Sequence, residues 1–212
     1  MNKPLVLVGG GGHCKSVIDV AESAGYSILG ILGKPDEIGK SVLGYSIIGT
    51  DNDMAKFAQI ADFIITVGQI ESPDLRIKLH QMLAEAGCGL ATIISPTAHV
   101  SKYAIVGEGS VIMHHAIVNA GAIVGKGCII NTAALVEHDA VVGDYCHIST
   151  GATINGAAII GEFSFVGSQS VINQCITIGK QVLIGSGSVV ISDLPSNSVA
   201  VGVPAKMIRF TR

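Results

Sequence analysis

The chain has 212 residues, 49% of them hydrophobic but only 4% aromatic, with no tryptophan, 27 glycines and a formal net charge of -3. Such a balance gives no footing for a nucleic-acid or membrane-surface partner, and no stretch approaches the ~20 apolar residues of a membrane span. The amino terminus runs straight into Pro4–Val8 and a glycine cluster without a signal-peptide layout, so a cytoplasmic protein of one large or two small domains is expected.

Pro4 to Val8 reads as a buried strand, Gly9 to Gly12 as a tight loop, and Cys14 to Ala24 as a helix with Val17, Ile18 and Ala21 on one face. Ser27 to Leu32 and Asp62 to Val67 read as further strands. Ser72, Pro73 and Asp74 start a helix whose apolar face carries Leu75, Leu79, Met82 and Leu83, and Gly87 stops it. Alternating strands and helices predict a small parallel α/β sheet, Rossmann-like, over residues 1–90. A strand, a glycine loop and a helix leave backbone N–H groups at a helix start, where a phosphate can sit. The dinucleotide fingerprint needs a glycine five residues after the first and an acid near the end of the second strand. Cys14 and the segment Gly33, Lys34 hold those places, with Asp36 displaced, which speaks against a dinucleotide and leaves a nucleotide diphosphate open.

From Ile94 to Val190 every sixth residue is valine or isoleucine, seventeen in all. Two residues before each rung stands Ala, Ser, Thr or Cys, with Ile176 and Val182 as exceptions. Positions two apart on a strand face the same way, so each unit is a short strand pointing one small and one branched residue inward, followed by a bend. Glycine follows the rung at 107, 125, 143, 161 and 179, a spacing of eighteen. Three strands therefore close one coil, and stacked coils make a parallel β-helix over residues 91–212. Cys128 and Cys146, eighteen apart, lie within reach of a disulfide, but small buried thiols are the expectation. An unbroken register extrudes no loop, so reactive groups belong at the corners. Glu137, His138 and Asp139 follow the rung at Val136, and His147 precedes the rung at Ile148. A histidine beside a carboxylate suits a general base that removes a proton from a nucleophile.

The ladder, with the closing Gly202, Val203, Pro204, Ala205 and Lys206, resembles the hexapeptide-repeat acyltransferases, whose prism is left-handed. The glycine loop with Gly11, Gly12, His13 and Lys15, the Asn131, Thr132 pair, Glu137, His138, Asp139 and His147 together resemble the NeuD and PglD family of sugar acetyltransferases. That resemblance implies acetyl-CoA as cosubstrate, no metal, a nucleotide-linked 4-amino-4,6-dideoxy sugar as acceptor, a role in surface glycan biosynthesis, and a homotrimer with active sites between subunits. It implies His138 as general base with Asp139 raising its basicity. His147 and the backbone of Gly156 would contact acetyl-CoA, and Gly11, Gly12, His13 and Gly68 the sugar nucleotide. Family members of the PglD type carry an acidic pair after the second strand that reads the base; Gly33 and Lys34 stand there instead. Cys14 departs from the small residue more usual in the family.

Other readings of the same residues are O-acetylation of sialic acid, an acetyl-cysteine intermediate on Cys146, a zinc-dependent carbonic-anhydrase-like trimer and a non-catalytic scaffold. His115 and His138 have a suggestive separation for zinc, but Gly143 stands where a third histidine would be needed.

Overall fold

The computed structural model describes residues 3–211. Its contacts divide into two units, one running to Gly68 and resuming over Asp74–Ser95, the other taking Gln69–Pro73 and the chain from Pro96 onward.

In the first unit, strand β1 (Leu5–Val8) is apolar at every position and all four side chains are buried, as a parallel strand covered on both faces requires. Helix α1 (Gly12–Ser23) buries Cys14, Val17, Ile18, Val20 and Ala21. It begins at Gly12, earlier than expected, so the last glycine of the loop is already helical. Strand β2 (Ile28–Gly33) follows, then a hairpin of β3 (Ser41–Val42) and β4 (Tyr45–Thr50), a short helix α2 (Met54–Phe57), β5 (Asp62–Ile65), α3 (Asp74–Glu85) and β6 (Gly89–Leu90). The sheet order is β3-β4-β2-β1-β5-β6. All pairings are parallel except β3 with β4, which makes one edge antiparallel. Sequence reading assigns nothing to this hairpin, because its turn is Leu43-Gly44, with φ of 49° and 89°, instead of the Asn-Gly or Asp-Gly that signals such a turn.

From β1 the chain steps to one side through β2 and then returns to the other side of β1 for β5. Loops leaving the carboxyl ends of β1 and β5 therefore diverge, and a crevice opens between them; open α/β sheets bind ligands at this reversal of strand order.

The second unit is the stacked helix that the period of six predicts, a left-handed parallel β-helix. Its coil strands are two residues long and each pairs with the strand eighteen residues on, as Ile117–Val118 does with Leu135–Val136. Every rung from Ile112 to Val190 is at most 1% exposed. Ile94 faces outward instead and belongs to the first unit. Val100 and Val106 are half-buried at the open first coil.

The column of glycines eighteen apart has a steric cause. A Cβ added at Gly125 would lie 2.7 Å from the backbone N of Asp144, and one at Gly143 2.7 Å from the N of Glu162. The coils touch backbone to backbone at that corner. The carbonyls of Gly125, Gly143 and Gly161 also accept a bond from the small inward residue of a neighbouring coil: Ser110 Oγ to Gly125 at 2.8 Å, Cys128 Sγ to Gly143 at 3.1 Å, Cys146 Sγ to Gly161 at 3.2 Å. Cys128 and Cys146 are buried thiols outside any disulfide, as expected, and their place in this column explains them.

Candidate active site

In the first unit, the ends of four strands line a cavity of about 350 Å³: Gly9–Gly12 and His13 after β1, Gly33, Lys34 and Glu37 after β2, Asp51 after β4, and Thr66–Gly68 after β5, with Leu75 and Leu79 behind. Gly9 cannot be replaced by a larger residue. Its φ is +111°, and a Cβ there would meet Val67 Cγ2 at 2.5 Å, so the β1 and β5 loops lie in contact. Thr66 Oγ1 ties them by donating to the Gly9 carbonyl at 2.6 Å. The start of α1, whose Gly12 lines the cavity, turns the positive end of its dipole toward this space. Gly11, Gly12, His13 and Gly68, all expected at one site, are brought together.

Of the two acids just beyond β2, Glu37 lines the cavity and Asp36 does not. A short 3-10 turn, Pro35–Glu37, swings it back, and Lys34 N–H donates to Glu37 Oε2 at 3.0 Å. The carboxylate stands beside Gly33, whose added Cβ would come within 3.0 Å of it. Asp51, also unforeseen, has its carboxyl pushed up by burial, with the Lys78 charge opposing. Neither has a local motif; the fold delivers them to the cavity.

In the second unit, His138 and Asp139 occupy a prism corner. Asp139 has φ of 60°, the left-handed conformation that aspartate tolerates better than most residues. That bend turns its carboxylate toward the preceding side chain, and Oδ2 lies 2.9 Å from His138 Nδ1. An imidazole N–H donates there, which leaves Nε2 as the basic nitrogen. Asn119 Nδ2 donates to Glu137 Oε2 at 2.8 Å, and the His138 N–H donates to the same oxygen at 3.2 Å. The hydrogen bond with Asp139, opposed by slight desolvation and assisted by the Asp139 and Glu137 charges, raises the His138 pKa above the ordinary histidine value. Both side chains are about two-thirds exposed, so the pair faces solvent.

Gly156 lies directly beneath this ring. An added Cβ would be 2.7 Å from His138 Nε2. Its carbonyl accepts from Cys175 N–H at 3.0 Å, whereas its own N–H donates to no protein group among the described residues. One coil earlier, Gly121 makes room for the other partner, since a Cβ there would meet Asp139 Oδ1 at 2.5 Å. The sequence analysis overlooks Gly121 and does not pair Asn119 with Glu137, although their spacing of eighteen from Asp139 and Glu137 marks them as neighbours.

His147 is engaged differently. It is 8% exposed, its Nδ1 lies 2.7 Å from the Gln69 carbonyl and its Nε2 3.1 Å from Asn131 Nδ2. A carbonyl only accepts, so Nδ1 carries the proton and Nε2 accepts from Asn131. The ring also meets Phe165 edge-on, centroids 5.2 Å apart. Contact with an acyl group at Nε2 would require Asn131 to give way. Cys146 beside it is 1% exposed and its thiol pKa is pushed well up by burial, with the nearby Cys128 adding to the rise. Such a thiol is a poor nucleophile, which removes the acetyl-cysteine route. Among the described residues no three His, Cys, Asp or Glu side chains gather as a metal-ligand set, and no helix is long and apolar enough to cross a membrane.

Comparison with known proteins bears on both units. Residues 4–83 match the PglD N-terminal domain family. The acetyltransferase domain of PglB from Neisseria gonorrhoeae, solved with acetyl coenzyme A, is 35% identical and superimposes with a TM-score of 0.90, over 98% of this chain and 100% of that one. PerB from Caulobacter crescentus, solved with CoA and GDP-perosamine, is 33% identical with a TM-score of 0.91 over 97% of each chain. An uncharacterized mimivirus protein is 32% identical over 110 residues, which span 52% of this chain and 21% of that protein. Likeness to PglB and PerB at this level, over nearly the full length of each and on top of a prism with a carboxylate-held histidine, places the chain in the NeuD/PglD family of acetyl-CoA-dependent sugar acetyltransferases.

Proposed function

We propose that the protein transfers acetyl from acetyl-CoA to the amino group of a nucleotide-linked 4-amino-4,6-dideoxy sugar, by direct attack and without a covalent enzyme intermediate. The observation that carries this reading is the Asp139–His138 pair at 2.9 Å with Nε2 poised above Gly156. As the sugar nitrogen attacks the thioester carbon, His138 Nε2 takes its proton. Asp139 holds the ring and stabilises the imidazolium, and the free Gly156 N–H is placed to donate to the developing oxyanion. Collapse expels CoA as its thiolate, which takes up a proton.

The glycine-loop cavity supports a nucleotide diphosphate as the handle of the acceptor. PerB was solved with such a sugar nucleotide, and the cavity here offers helix-start N–H groups for phosphates and Glu37 for a base N–H. A homotrimer fits the prism's outer surface. Ile105, Ile123 and Ile159 form one apolar column, 61%, 41% and 44% exposed, and a patch of this kind is normally covered.

An acetyl-transfer assay with UDP-, dTDP- and GDP-linked 4-amino sugars against free sialic acid tests the reading. Turnover of at least one nucleotide-linked amine, with none of sialic acid, is expected. Transfer to the sialic acid hydroxyl alone would overturn it in favour of O-acetylation.

A further inference from the structure

Arg76, in the first turn of α3, is 2% exposed and ranks among the largest fully buried side chains of the protein. It does not line the cavity. Its Nη1 donates to the Val67 carbonyl at 2.5 Å, with the Ile65 carbonyl 3.5 Å away. Burying a guanidinium is costly unless its N–H groups find partners, so a buried arginine that grips the loop after β5 calls for a reason.

The peptide joining Val67 to Gly68 supplies one. A trans peptide is planar, with its C=O and N–H directed oppositely. A group that grips the Val67 oxygen therefore also sets the direction of the Gly68 N–H. Gly68 lines the cavity, and its N–H donates to no protein group among the described residues. Nor does its lack of a side chain serve packing, since an added Cβ would find only His13 Cβ, at 3.8 Å. An undonated amide, held from behind by a charge-assisted bond and placed across the crevice from the α1 N-terminus, is suited to an anionic oxygen.

We infer that Arg76 is a positioning residue: through the Val67–Gly68 peptide it aims the Gly68 N–H at the phosphates of the bound nucleotide, opposite the donors of Gly11 and Gly12. This rests on the cavity being the sugar-nucleotide site. The α1 donors are fixed by the helix and Thr66 is tied to β1 through the Val8 and Gly9 carbonyls, whereas the Val67 carbonyl is held by Arg76.

Titration calorimetry of the full chain with GDP, UDP and dTDP, without acetyl-CoA, separates the two claims. If the wild type binds none of them, the cavity reading fails and this inference with it. If it binds one, Arg76→Met, chosen for volume without the fork, and Arg76→Lys should weaken that binding by roughly 10- to 100-fold. Steady-state kinetics should show a comparable rise in KM for the sugar nucleotide with the KM for acetyl-CoA unchanged, a split that general loss of folding would not produce. Folded variants that bind the nucleotide as tightly as the wild type would overturn the role of Arg76. Should neither variant fold, the amide spectrum of the wild type decides: the Gly68 resonance moves downfield on saturation with the nucleotide, and a stationary Gly68 resonance sinks the inference.

Discussion

Asp139 carries two duties that meet in its backbone. Its φ of 60° closes the corner, and the same bend delivers its carboxylate to His138 Nδ1. His138→Ala should lower kcat/KM by about 10² to 10⁴, the usual worth of a general base, with the melting temperature unchanged because the ring is exposed. The base works only when neutral, so activity rises with pH through the His138 pKa. Since Asp139 holds that pKa above the ordinary histidine value, the acid limb of the kcat/KM profile should lie above about pH 6.5. Asp139→Asn should move that limb to lower pH while reducing the plateau; an unmoved limb would assign the titration to another group. Gly156→Ala is a second test at this scale. A methyl 2.7 Å from Nε2 must push the ring aside, and a loss of kcat of at least about tenfold is expected with little effect on stability. Activity at the wild-type level would separate Gly156 from the reacting centre.

Among elements, the corner glycines of the prism set the pitch of the stack. Gly143→Ala would place a methyl against the backbone of Glu162, and because neither neighbour is a flexible side chain, the coils must part. A destabilisation of about 1–3 kcal/mol, in the range of overpacked cores, should appear in chemical denaturation. The period of eighteen is visible in the chain, but its meaning as close backbone approach needs the coils stacked. The hairpin Ser41–Thr50 was illegible for a different reason. Its Leu43-Gly44 turn has unusual residues, and only the edge of a sheet already formed selects it. Likewise, Glu37 reaches the cavity through a turn whose outcome Pro35, Asp36 and Glu37 do not announce individually.

For the whole molecule, the outward column of Ile105, Ile123 and Ile159 predicts assembly. Light scattering on the purified protein should give three times the 21.7 kDa chain mass, and Ile123→Glu, placing a charge in the middle of the column, should shift it toward monomer and lower activity if the active sites lie between subunits. A monomeric wild type with full activity would reject that arrangement. The two architectures are legible in the chain, because periods of six and eighteen, and the strand–glycine–helix order, are local rules that each segment obeys alone. It also marked His138, Asp139 and the glycine loop, whose chemistry lies in adjacent residues. The partners come from the fold: Gly156 under His138, Gly121 beside Asp139, Gln69 and Asn131 on the two nitrogens of His147, and Arg76 behind the Val67–Gly68 peptide. Gln69 and His147 lie 78 residues apart and Arg76 and Val67 nine; for the coil neighbours the period of eighteen gives the register, and the stacking of the coils settles which groups meet.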